Sequence, residues 1–407
     1  MDPFLEKQKI VLFKAKGKEL PFDGNTTFIA KRGALQLSYA AMYLCNYMDG
    51  ETTDKQLLKI LNESFTPPAK EADLRRFVKK LKRHNLLFGR INDCLVSKAS
   101  MPYRRWMMDK QGPARKPMYA GVCYNDDPKG LMRELKDCFD AVNPRRLRFL
   151  CKDYKRIRGV VVSHSNMDLS GTCAAWAYKA ISGFPLPETC IILGPLHVEE
   201  KGAPPYGMLL KDFLTPLGLV KVDVDLGRML AAQCRFDIFQ NQLAHAGEHS
   251  IEMQLPYLQY IFRNKTKKWR IVPVLCSRYS SYSARASFIQ ALRQVCTKSR
   301  KRILLIATSD LVHARRRNPV YFHSRNREAL HYLQRGRAAD FARQTTFDKF
   351  RLCGEVPIYT LLKALAPSRG KVLRYSWASR SKAFKRGKGG GQYEQHQDIG
   401  YASVIFD

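Results

Sequence analysis

Three of the nine histidines in this 407-residue chain stand where strand-like runs stop. Val160–Val162 lead to His164, Ile191–Leu193 to His197, and Ile303–Ile306 to Asp310 and His313. Short aliphatic runs of this kind read as buried strands, and open α/β sheets bind ligands beyond the carboxyl ends of their strands. The three endings are therefore expected to share one cleft. Cys353, followed by Gly354, and the cluster His245, Glu248, His249 add candidates from loops. Neutral imidazole and thiolate are good ligands for iron, copper or zinc, and two His with one Cys leave coordination positions open. No C-x-x-C or H-E-x-x-H spacing accompanies them. The same residues also suit a plainer use, each His bonding a loop backbone and Cys353 filling space.

Asp310 and His313, three residues apart, suit an acid/base pair or the orientation of a bound water, and Asp310 equally suits a cap on the following turn. Glu248 and Glu252 lie four apart in GEHSIEMQLPYL, where Ile251, Leu255 and Leu258 mark a buried face and Pro256 limits or kinks a helix. A carboxylate at either position supports a ligand His or faces solvent.

Positioning these residues requires alternating strands and helices. RGVVVSH, ETCIILGPLH, RIVPVLC and RILLIATSD alternate with helical patterns such as Leu131, Leu135, Cys138 and Phe139. That alternation predicts an α/β fold with a largely parallel sheet flanked by helices, over residues 115–407. Residues 1–100 read differently. Leu37–Met48 favours a helix, Thr53 and Gln56 have capping-box spacing for a second carrying Leu57, Leu58, Leu61 and Phe65, and Leu74, Phe77, Val78 and Leu81 mark a third. Leu86–Ser97 then reads as two short strands around Asn92-Asp93, which completes a small winged-helix-like domain. Residues 101–114, with Gly112-Pro113, form the expected linker, and Ser381–Gln392 a flexible basic loop.

Hydrophobic residues at 45% and charged residues at 26% are globular proportions. No apolar run reaches the roughly 18 residues of a membrane span, and eleven cysteines scattered singly without paired spacing argue against a secreted disulfide framework. A cytoplasmic protein without membrane association is expected. The formal charge of +34 implies non-specific attraction to nucleic acid. No single Arg/Lys run alternates with aromatics, so a solvated basic surface is the simpler reading. Association through the N-terminal unit, whose third helix carries Lys79, Lys80, Lys82 and Arg83, is the other.

Taken in order, PMYAGVCYNDDPKGL, RGVVVSHSNMDLSGTCAAWAYKAI, CIILGPLH, TPLGLVKVD, AHAGEHSIEMQLPYLQYIF, ATSDLVH, LCGEVPIYTLL and DIGYASVIF resemble the Memo family, called AmmeMemoRadiSam system protein B in bacteria and archaea. The resemblance runs from about Arg115 to Asp407. It implies a class III extradiol dioxygenase-like fold and a His/His/Cys pocket associated with iron or copper and redox chemistry. Carried over, His164, His197 and Cys353 are the metal ligands, and Asp310, His313, Glu248 and His249 line the pocket as catalytic candidates. The chain departs from the family's Pro-His-Ala-Gly at Ser163-His164-Ser165-Asn166, and again at Val198-Glu199-Glu200. The N-terminal unit resembles the PqqD-like winged helix, which implies a peptide ligand and radical-SAM system partners. A non-catalytic peptide-binding or adaptor role is the alternative to an oxidoreductase.

Overall fold

The computed structural model describes residues 14–15, 25–30, 33–38, 44–45, 47–48, 52–66, 68–83, 87–91 and 94–97 of an N-terminal unit. In a C-terminal unit it describes 114–197, 204–265, 268–315, 319–347, 352–366, 368–379 and 397–407. The compact units are Met1–Gly112 and Pro113–Asp407. The expected linker up to residue 113, the Asn92-Asp93 turn, the departure at 198–200 and the basic loop at 381–392 lie outside the described residues.

In the N-terminal unit, helices span Asp54–Ser64 and Glu71–Arg83. The first opens on the expected capping box: the Thr53 N–H donates to Gln56 Oε1 at 2.8 Å, and the Gln56 N–H donates to Thr53 Oγ1 at 3.3 Å. Leu57, Leu61, Leu74, Phe77 and Leu81 are buried, as their helical spacing requires. Leu87–Ile91 pairs antiparallel with Cys94–Ser97. The helix expected over Leu37–Met48 begins later, because Leu37 and Ser38 end a strand, Gly33–Ser38, paired with Asn25–Ala30.

The C-terminal unit opens with β1 (Ala114–Arg115), α1 (Pro128–Asp140), α2 (Pro144–Cys151), β2 (Gly159–Val162), α3 (Met167–Ser182) and β3 (Thr189–Pro195). It continues with β4 (Tyr206–Met208), β5 (Asp212–Thr215), β6 (Gly218–Val220), α4 (Val224–Gln233), α5 (Leu255–Phe262), β7 (Arg270–Cys276), α6 (Tyr282–Lys298) and β8 (Ile303–Thr308). It closes with β9 (His313–Arg315), α7 (Pro319–Arg335), α8 (Ala338–Phe347), α9 (Glu355–Leu365), β10 (Gly370–Ser379) and β11 (Gln397–Phe406).

The main sheet has the order β4-β7-β3-β8-β2-β11-β9, with β10 also paired to β11. Its centre, β7-β3-β8-β2, is parallel. Strands β4, β11, β9 and β10 pair antiparallel at the flanks, so the sheet is mixed rather than largely parallel. The reason is local: β10 and β11 are long strands consecutive in the chain that pair antiparallel, whereas β2 and β3, and β7 and β8, are each joined through a single helix, α3 or α6. Every residue of β2 and β3 is buried, which is why their sequences are continuous apolar runs without alternation. Alternate residues of β11 show the two layers. Ala402, Val404 and Phe406 join the core built by α6, α7 and α9, while Ile399 and Tyr401 pack with Cys173 of α3. Among the described residues no helix is long and apolar enough to cross a membrane.

Candidate metal centre

Three neighbouring parallel strands, β3, β8 and β2, end on one side of the sheet and carry the candidate residues there. His164 follows β2 and is almost fully buried. Its Nδ1 lies 2.7 Å from Thr308 Oγ1 at the end of β8, which leaves Nε2 to face Cys353 Sγ at 3.2 Å. His197 follows β3 and is held twice by Glu248. The His197 backbone N–H donates to Oε2 at 2.8 Å, and Nδ1 lies 2.9 Å from Oε1. Both imidazoles are thus fixed through Nδ1, the arrangement that presents Nε2 to a ligand.

Cys353 comes from the loop ahead of α9, two residues before its first residue, Glu355. Its loop presses against the end of β8, where a Cβ on Gly354 would stand 2.3 Å from the Thr308 carbonyl oxygen and 2.4 Å from Ser309 Cβ. Glycine is required there by the close approach, not by an unusual φ. The Gly354 N–H donates to Ser309 Oγ at 3.0 Å, and the Asp310 N–H donates to Cys353 Sγ at 3.0 Å. His164, His197 and Cys353 each offer a donor atom, all within 4.8 Å of one another. That spacing suits three ligands each about 2.0–2.3 Å from one ion.

The Asp310 carboxylate bonds to the loop after β2. Its Oδ1 accepts the His164 N–H at 3.1 Å and its Oδ2 accepts the Ser165 hydroxyl at 2.6 Å, so it ties the end of β8 to the loop after β2. His313 is exposed at the start of β9 and groups with Asp310 and Cys353 as a second set of donors. Glu248 and His249 join with His197 as a third. The His249 ring stacks on His197 at 4.5 Å and meets His164 edge-on at 5.3 Å. His245 is not in the pocket: its Nε2 faces the Gly207 carbonyl oxygen at 2.9 Å, and burial lowers it to about 4.

Neither carboxylate of GEHSIEMQLPYL faces solvent, and the segment is not one helix. Short 3₁₀ turns precede α5, and Pro256 sits in its first turn rather than at a kink. Glu252 is fully buried against the equally buried Arg115, with Nη1 to Oε2 at 2.6 Å. It also accepts the Met118 and Tyr119 N–H groups and the Tyr124 hydroxyl. Arg115 donates onward to the carbonyl oxygens of His245 and Glu248 at 2.7 and 2.8 Å. This pair sets the turn that aims Glu248 at His197. Sequence reading singled out neither Arg115 nor Thr308, because a lone Arg and a strand-end Thr carry no spacing signal.

The electrostatics follow from burial in a crowded pocket. Burial, reinforced by His197 and His249, pushes His164 well below its ordinary value and keeps it neutral. Burial also opposes charge on His197, but the Glu248 carboxylate and a bond with Cys353 outweigh it and raise the imidazole to about 10. Glu248 is held well below the usual carboxylate range, burial being overcome by His197 and His249. Burial pushes the Cys353 thiol up against the pull of His197. Two neutral-capable imidazoles and a thiol are a fitting donor set for a thiophilic or borderline transition metal.

A family profile described as Memo-like protein matches residues 115–390, about two thirds of the chain. The chain belongs to the Memo-like family. A MEMO1 family protein of Methanopyrus kandleri is 29% identical over 297 residues, covering 72% of this chain and 98% of the relative. One from Methanosarcina barkeri is 27% identical over 72% of this chain and 100% of its own length. One from Methanobrevibacter smithii is 34% identical over 49% of this chain and 69% of its own. In this Memo-like unit the departure around His164 has a structural consequence. Ser165 adds the hydroxyl that Asp310 accepts, and the buried Ser163 hydroxyl has no hydrogen-bond partner among the described residues.

Proposed function

We propose that this unit is a metal-dependent redox protein whose His164 Nε2, His197 Nε2 and Cys353 Sγ hold iron or copper. The observation that carries the reading is the pairing of convergence with restraint: three soft or borderline donors lie within 4.8 Å, and both imidazoles are anchored through Nδ1. When bound, such an ion supplies a redox-active Lewis-acid centre with open coordination positions. The remaining chemistry belongs to the chain. Glu248 keeps a proton on His197 Nδ1 and so fixes its tautomer, while Asp310 locks the His164 loop. His313, exposed beside Asp310 and Cys353, stands where a proton can pass between pocket and solvent. The same reading takes the sheet as a class III extradiol dioxygenase-like scaffold and the N-terminal helices with their strand pair as a winged-helix-like unit.

The test is metal analysis of the full chain purified without added metal or chelator. Near-stoichiometric iron or copper is expected, falling to background in Cys353→Ala and in His164→Ala while circular dichroism is unchanged. Metal-free wild-type protein that also fails to take up either ion on reconstitution rules the reading out.

A further inference from the structure

Helices α6 and α9 pack into one core, and a cleft of about 420 Å³ opens between their outer faces. One wall is a single face of α6. Tyr282, Ala286, Ile289, Gln290, Arg293 and Gln294 follow one another at i, i+4, i+7, i+8, i+11 and i+12, the spacing that keeps side chains on one side of a helix. Tyr359 and Lys363, one turn apart on α9, form the other wall. Phe288 and Leu292 of α6 and Ile358, Leu361 and Leu362 of α9 are buried together on the inner faces, so the separation of the walls is set by the core. The cleft is therefore preformed, and its volume falls within the roughly 300–1,000 Å³ of small-molecule sites. None of its residues belongs to the metal centre.

The chemistry of the walls selects a ligand class. Ile289 is a nearly buried aliphatic patch, and Ala286 is the smallest side chain of its wall. Two tyrosine rings add flat apolar surface: Tyr282 is 79% exposed, and Tyr359 is half-buried against the core. Burial, and next the neighbouring Tyr282, push the Tyr359 phenol up, so it remains a neutral donor. Both charged residues of the lining are cations. The Arg293 Nη2 group donates to the Ala366 carbonyl oxygen at 3.4 Å, which holds the guanidinium at the cleft, and Lys363 Nζ lies 5.9 Å from the Tyr359 ring centroid. Among the described residues neither cation has a carboxylate partner.

We propose that the cleft binds a small aromatic anion, its ring against Ile289 and the two tyrosines and its acidic group on Arg293 and Lys363. Two unbalanced cations call for a negative charge, and a guanidinium matches a planar or trigonal oxyanion best. Paired rings over an aliphatic floor call for a flat apolar body. An inorganic anion would leave that floor uncovered, and an uncharged aromatic would leave both cations unanswered. This site is independent of metal binding, since the two share no residue.

The experiment titrates the full chain with 8-anilinonaphthalene-1-sulfonate, read by its fluorescence, and separately with uncharged N-phenyl-1-naphthylamine. Saturable binding of the sulfonate and much weaker binding of the amine are expected. Arg293→Ala combined with Lys363→Ala should weaken sulfonate binding about tenfold. Lys298→Ala combined with Arg300→Ala removes the same charge from exposed positions outside the cleft and should leave binding unchanged. Ala286→Trp fills the cleft, keeps both cations and should also weaken binding about tenfold or more. Melting temperatures equal to wild type in these variants exclude a folding defect. Three results overturn the proposal: equal affinity for the uncharged amine, equal losses in the two charge-removing variants, which assign binding to bulk charge, or full affinity in Ala286→Trp, which places the probe elsewhere.

Discussion

Replacing Glu248 by Gln probes the pocket at one atom pair. The carboxylate accepts the N–H groups of His197, His249 and Ser250 and faces His197 Nδ1, and it donates nothing. A Gln at this position presents an NH₂ to at least one group that can only donate, so one or two charge-assisted bonds are lost. At roughly 1.5–3 kcal/mol each, the variant loses about 1.5–6 kcal/mol of stability. It also releases His197. The rise from 6.5 to about 10 favours the cation even after burial has opposed it, and the Glu248 carboxylate is the largest source of that preference. In the metal-free protein that stabilisation is complete below pH 6.5 and fades as pH climbs through about 10. Metal affinity is expected to fall 10- to 100-fold, because the imidazole loses the partner that aims it. Chelator competition on the folded variant measures the affinity, and histidine titration by NMR measures the imidazole. Affinity within threefold of wild type, together with an unmoved His197, would refute the reasoning.

Three further outcomes follow from the same structure. Arg115→Met leaves Glu252 buried without its cation, though with three other donors, and should cost about 3 kcal/mol in urea unfolding; a loss under 1 kcal/mol contradicts the role assigned to the pair. Metal uptake should strengthen as pH rises, since His197 is held at about 10 and the Cys353 thiol is pushed up, so both release protons to an ion; proton release measured by calorimetry in buffers of different ionisation enthalpy checks the sign. Asp223 is held low: burial works against its charge, but Lys301 at 2.7 Å and Thr189 at 2.5 Å prevail. Asp223→Asn should therefore be less stable than wild type by about 1–3 kcal/mol at neutral pH, and the gap should close as pH drops below about 3.8, read from melting temperatures across pH.

The candidate site was legible to the extent that its signals are local. Apolar runs stopping at His164, His197 and Asp310 mark strand ends, and strand ends in a parallel sheet face one crevice. The capping box at Thr53 and Gln56 was legible for the same reason, since both partners lie within one turn. Glu248 was harder. Its four-residue spacing from Glu252 suggests a helical face, yet the structure breaks the segment into short turns and buries both carboxylates against separate partners. Arg115 gave no signal, because its meaning depends on carbonyl oxygens 130 and 133 residues away.

What the sequence determined alone was the four central strands, their buried character and the chemical types at their ends, all consequences of side-chain chemistry along the chain. Tertiary structure decided which nitrogen of each imidazole is free, that Cys353 reaches His164 across 189 positions, that His245 turns away, and that α6 and α9 leave a cleft between them. Those outcomes depend on sheet order, on close approach at Gly354, and on hydrogen bonds between distant loops. Each is a relation between segments that sequence spacing does not encode.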